Sequence, residues 1–97
     1  MMRISVSEIQ IMPVKPQNGL VAFASAVINN QFYVSNIAIY TSPSDPLGYR
    51  LVYPDKILSN GKRVHCFHPI TSEAGEVVKK AIVKEYEELM NNFNHIE

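Results

Sequence analysis

Apolar and polar residues alternate with a period of two through the first half of the chain and change to a helical spacing in the last quarter. Near the start, Ile4 and Val6 alternate with Ser5 and Ser7, and then Ile9 and Ile11 carry the apolar set onto the other parity. A strand whose apolar face switches partway predicts a bulge, or a strand seen from both sides. Pro13 and Pro16, followed by Asn18-Gly19, are expected to close this strand with a turn. Leu20 to Ile28 and Gln31 to Tyr40 are rich in β-branched, aromatic and small residues. Asn29-Asn30 lies between them, and asparagine accepts left-handed backbone angles, so a hairpin with a two-residue primed turn is predicted. Thr41 to Gly48, with two prolines, reads as an exposed irregular loop. Tyr49 to Tyr53 is a short strand ended by Pro54. Ser59-Asn60-Gly61 is a turn from which Lys62 to Phe67 returns as another short strand.

After His68-Pro69-Ile70 the spacing becomes helical. Thr71 or Ser72 supplies a cap, and Glu73 and Glu76 suit the positive end of the helix dipole. Ala74, Val78, Ile82, Tyr86, Leu89 and Phe93 should face the sheet. Glu76–Lys80 and Lys84–Glu88 are spaced as ion pairs on the wet side, and the tail from Asn91 is expected to fray. The fold class is therefore α+β: an antiparallel sheet of about four to five strands followed by one C-terminal helix, in a single domain over residues 1–97.

Composition changes this picture little. The hydrophobic share of 46% and charged share of 19% belong to a globular chain. Nine basic residues balance nine acidic ones, so any nucleic-acid affinity has to come from a local cluster rather than a global field. The single cysteine, Cys66, forms no internal disulfide, and a reducing cytoplasm is the expected setting. No segment is apolar over the ~20 residues a membrane helix requires, so no membrane partner is expected.

Candidate chemistry is sparse. His65, Cys66 and His68 invite a metal reading, but zinc takes four ligands, or three and a water, and the remaining histidine, His95, is far off in the tail. Cys66 packed as a small apolar residue, with His68 bonded to backbone near the helix start, accounts for them without a metal. Cys66 and His68 are too close in sequence for the usual nucleophile pair, and Glu85, Glu87 and Glu88 form a solvated helix face. No catalytic residue, metal site or cofactor is expected, and the chain reads as a binder rather than an enzyme. Its best candidates are Lys56, Lys62 and Arg63 around one turn, with Lys79 and Lys80, and Lys84 beside them, on the helix, although ordinary solvated charge also accounts for them. Together they would offer a surface to a phosphate backbone if the helix packs beside that turn. Tyr33, Tyr49 and Tyr53 could add stacking faces for bases.

Four stretches in order carry a resemblance: Phe32-Tyr33-Val34-Ser35-Asn36-Ile37, Gly48 through Pro54-Asp55-Lys56, Asn60-Gly61, and His68-Pro69-Ile70 with Glu85-Tyr86 on the helix that follows. From about Ile4 to Leu89 the chain resembles the SpoVG family, bacterial proteins named for septation and stage V sporulation. The resemblance implies an antiparallel sheet with a C-terminal helix, a homodimer formed through the sheets, and a non-enzymatic regulator that binds DNA or RNA, linked to septation, sporulation, capsule or virulence control. It also implies a basic turn, Pro-Ser-Lys followed by Arg or Lys in the family, as the nucleic-acid contact. Here Lys56 keeps the lysine, Asp55 replaces the serine and Ile57 the following basic residue. Ala38 stands where a basic residue commonly follows Asn-Ile, and Gly75-Glu76 where Arg-Gly opens the helix. Lys62 and Arg63 partly offset these losses. The alternative is a protein–protein interaction module on the same fold, with nucleic-acid binding lost.

Overall fold

The computed structural model describes residues 4–95, with side chains described through Asn92. Six strands and one helix follow in order: β1 (Val6–Gln17), β2 (Leu20–Ile28), β3 (Phe32–Thr41), β4 (Tyr49–Val52), β5 (Asp55–Ile57), β6 (Arg63–His65) and α1 (Ser72–His95). Strands β1 to β4 form an antiparallel meander in the order β1-β2-β3-β4, and β5 and β6 form a separate two-stranded sheet. The α+β class read from the sequence is the class observed.

Both turns form. Asn18 and Gly19 adopt φ of 54° and 91°, and Asn29 and Asn30 adopt 54° and 56°, the left-handed pair that matches the twist of a hairpin. The second loop holds three residues rather than the expected two, because Ile28 pairs with Phe32 and leaves Gln31 beside the asparagines. Asn29 also ties down the chain start: its side-chain Oδ1 accepts from the Ser5 amide at 2.9 Å. The first strand does not end at its prolines but runs through Pro13 and Pro16 to Gln17. It is an edge strand, where a missing N–H breaks no ladder.

The predicted switch of face is a bulge. Between the pairs Ser7↔Val27 and Gln10↔Ser25, β1 supplies Glu8 and Ile9 against Ala26 alone, and Glu8 takes φ 48°. The extra residue returns the apolar set to one side, so Ile4, Val6, Ile9 and Ile11 all pack against the core. A second bulge lies beside it on β3. There Ser35 and Asn36 oppose Ser25 alone, and Asn36 takes φ 59°.

The core sits between one sheet face and the helix. Ala22, Ala24 and Ala26 of β2, Val34, Ile37 and Ile39 of β3, and Val78, Ile82 and Tyr86 of α1 are buried together. Three alanines in alternation give β2 a low surface on the face buried with these helix side chains. Val83, which the helical spacing does not single out, is buried as well. Thr71 caps the helix, its Oγ1 accepting from the Ala74 amide at 3.0 Å. The helix continues past Asn91 to His95; the side chains of Phe93 and His95 lie outside the described residues. The expected Glu76–Lys80 and Lys84–Glu88 pairs do not form. Glu76 instead meets Lys79 at 3.5 Å, because Lys79 is already drawn toward the β3–β4 loop.

Candidate nucleic-acid interface

β4 ends at Val52, and past Tyr53-Pro54 the chain turns out of the main sheet into the β5–β6 ribbon. Its register is Asp55↔His65, Lys56↔Val64 and Ile57↔Arg63. The Cys66 amide donates to the Pro54 carbonyl at 3.0 Å and so closes the ribbon at its base. At the tip, Gly61 takes φ 86°, a region closed to most L side chains. The Leu58 amide donates to the Lys62 carbonyl at 2.7 Å, and Asn60 Oδ1 accepts from the Lys62 amide at 2.9 Å. The Ser-Asn-Gly turn therefore fixes Lys62 beside Arg63.

Alternation divides the ribbon into two faces. Lys56 and Val64 share one, while Asp55, Ile57, Arg63 and His65 share the other. Lys56, Lys62 and Arg63 are all exposed. Three cations thus meet a single carboxylate, Asp55, which lies back toward the base and holds Arg63 Nη1 at 3.3 Å. The Arg63 side chain remains 65% exposed, and a surface pair of this kind contributes little and exchanges readily for another anion.

The helix cations are arranged differently. Among the described residues the backbone of α1 runs nearest β1 and β4, and Lys79 turns to the β3–β4 loop rather than to the ribbon. Lys79 Nζ lies 2.6 Å from Asp45 Oδ2, with the two side chains only 16% and 18% exposed. The bond from Lys79, helped by the Leu47 amide, holds the Asp45 carboxyl below its ordinary range. The same bond from Asp45 raises Lys79 despite its partial burial. Lys80 points to solvent.

The histidines and the cysteine also depart from expectation. Cys66 is exposed rather than packed, because the ribbon it closes stands away from the core. His68 Nδ1 donates to the Pro69 carbonyl at 3.0 Å, a backbone bond near the helix start as expected. His65 and His68 lie ring against ring, centroids 4.3 Å apart. Of the three tyrosines considered for stacking, only Tyr33 is open, at 70% exposure. Tyr49 meets Tyr86 edge-on at 5.4 Å. Tyr53 leans on Phe67 at 6.0 Å, and burial pushes its hydroxyl up to about 12.

Two features had no clear signal in the sequence. One is the set of exposed apolar side chains on and near the ribbon: Ile57, Leu58 and Val64, with Ile70 further along. The other is the sheet face away from the helix. Met12, Phe23, Tyr33, Ser25 and Ser35 help line a depression of about 430 Å³ there.

A four-stranded meander backed by one C-terminal helix, with a cationic ribbon set off from both, defines a small α+β domain. The family model of SpoVG matches residues 2–88, and the chain belongs to the SpoVG family. Among its relatives, three proteins named "Putative septation protein SpoVG" span the chain. That of Treponema denticola is 30% identical over 84 residues, covering 87% of each chain. That of Clostridium perfringens is 26% identical over 91% of this chain and 94% of its own. That of Archaeoglobus fulgidus is 25% identical over 86% of this chain and 94% of its own.

Proposed function

We propose that this chain is a non-enzymatic, homodimeric regulator that binds nucleic acid through the tip of the β5–β6 ribbon. The observation that carries the reading is the grouping of Lys56, Lys62 and Arg63 as exposed cations around one rigid turn. Electrostatic contact with a phosphate backbone needs such a cluster where the net charge is zero. Lys79 is assigned no phosphate contact, since Asp45 occupies its ammonium group; Lys80 can add a long-range attraction only. The septation names of the relatives support a cellular role in the control of division. The exposed free thiol of Cys66 suits a reducing cytoplasm, and no described helix is long and apolar enough to cross a membrane. A second copy covering the sheet face around Met12 and Tyr33 is the proposed dimer partner, because that face leaves large apolar side chains in water.

The test is a titration of labelled duplex DNA and of single-stranded RNA with wild type and with the K56A/K62A/R63A variant at low salt. Saturable binding by the wild type, lost in the variant, is expected. A variant that binds as the wild type does removes the ribbon from the interface. A second reading, a module for protein partners alone, is favoured by the neutralisation of Lys79 and by the carboxylate beside Arg63. It predicts no binding of either nucleic acid even at low salt.

A further inference from the structure

The ribbon tip is not only basic. Ile57 is 61% exposed and Leu58 37% exposed, although both belong to the segment that the turn holds most firmly, with the Leu58 amide bonded to Lys62. Neither side chain belongs to the core cluster, and Ile57 faces away from Lys56 on the same ribbon face as Arg63. Ile57 therefore stands as an apolar group between the cations Lys56 and Arg63, so a partner that engages both cations also meets it.

The distribution of charge indicates the shape of what is met. Lys56 lies on one face of the ribbon, Arg63 on the other, and Lys62 at the end. A flat anionic surface would engage one face only. A groove with phosphates along both walls engages both faces, with the tip reaching its floor. The major groove of duplex DNA is wide enough for a two-stranded ribbon, whereas that of duplex RNA is too deep and narrow for side chains to read. On the floor of the DNA groove, the apolar group available to an isoleucine is the 5-methyl of thymine.

We infer that the β5–β6 tip enters the major groove of duplex DNA and that Ile57, supported by Leu58, reads thymine methyl groups there while Lys56, Lys62 and Arg63 hold the flanking phosphates. The inference rests on the nucleic-acid reading above and narrows it to thymine-containing duplex DNA. The Asp55 carboxylate, set back at the ribbon base, stays clear of the groove floor and releases Arg63 to a phosphate.

Anisotropy titrations with a thymine-rich duplex, the same duplex with every thymine replaced by deoxyuridine, and single-stranded RNA test it. Ile57→Ser serves as the variant; its exposure keeps the fold intact, as circular dichroism will verify. The wild type should prefer the thymine duplex by about fourfold for each methyl contacted, the gain from burying one methyl-sized group. Ile57→Ser should bind both duplexes equally and keep the wild-type salt dependence. Equal wild-type affinity for the two duplexes overturns the methyl reading and leaves phosphate binding standing. Binding to single-stranded RNA alone has the same consequence. No binding to any of the three overturns this inference together with the function it rests on.

Discussion

Lys79 on the helix and Asp45 in the β3–β4 loop are 34 residues apart in sequence and 2.6 Å apart in space. Their bond fastens a loop with two prolines to the one helix of the fold. Two successive turns shape that loop, with the Asp45 amide bonded to the Ser42 carbonyl and the Gly48 amide to the Asp45 carbonyl. On the proposed function, the same contact takes a lysine out of the set offered to a phosphate.

Asp45→Asn should lower the thermal midpoint at neutral pH by removing the charge that holds Lys79. The sign with pH follows from the shifts. The Asp45 carboxyl is held low in the folded state, so its contribution is present above the ordinary carboxylate range and is lost as pH falls through its folded value. Lys79 is raised, so its contribution is present below the ordinary lysine range and fades above it. The difference between wild type and variant should be largest between these limits and vanish in strong acid. Melting curves across pH measure it; a constant difference down to the acid limit would contradict the assignment.

Tyr53 gives the second prediction. Among the described residues its Oη is buried without a hydrogen-bond partner, and burial raises its pKa to about 12. The neutral phenol is therefore favoured by folding. That contribution is complete below about pH 10, the unfolded value, and is lost as pH rises to about 12. Tyr53→Phe should be neutral or stabilising by about 1 kcal/mol at pH 7, since it deletes an unsatisfied hydroxyl. It should also flatten the alkaline loss of stability. Phenolate absorbance titration with parallel denaturant melts tests both; a clear loss of stability at pH 7 would show that the hydroxyl makes a bond.

The core should respond in the ordinary way. Ile82 is fully buried between the alanines of β2 and the rest of the helix face. Ile82→Ala should cost about 2–5 kcal/mol in urea unfolding. Val83→Ala should also cost stability, although its place in the helical pattern does not mark it for burial.

Gly61 sets the turn at the ribbon tip. A side chain at φ 86° is strained even though nothing crowds the site. Gly61→Ala should cost about 1–2 kcal/mol locally and weaken nucleic-acid binding without unfolding the main sheet. Unchanged binding would mean that the turn geometry does not position Lys62.

How far the sequence reached depends on the range of the interaction. Asn29-Asn30 and Asn18-Gly19 were legible as turns because the asparagine backbone preference acts within two residues. The bulge at Glu8 was legible because an extra residue flips the apolar parity of its own strand. Thr71 as helix cap and the 3.6-residue burial of Val78, Ile82 and Tyr86 are local in the same sense. The ion pair of Lys79 with Asp45 was not legible: it depends on where the loop lands on the helix. The exposure of Cys66 was hidden for the same reason. It requires knowing that the chain leaves the main sheet past Tyr53-Pro54. The candidate site was therefore legible at the turn, in Lys56, Lys62 and Arg63 as neighbours, while their relation to Lys79 and Lys80 was set by tertiary packing.

The homodimer has its own check. Light scattering at micromolar concentration should give about twice the chain mass, and Tyr33→Ser on the open sheet face should shift the equilibrium toward monomer. A wild-type monomer at that concentration would contradict the proposed pairing.

The central claim, phosphate contact through the ribbon tip, is tested most directly by the salt dependence of duplex DNA binding. Three contacts by Lys56, Lys62 and Arg63 predict that the logarithm of affinity falls with the logarithm of salt at a slope of about −2.7, and that removing Lys62 and Arg63 together reduces its magnitude by about 1.8. A slope near zero, or one left unchanged by the double substitution, would contradict the account.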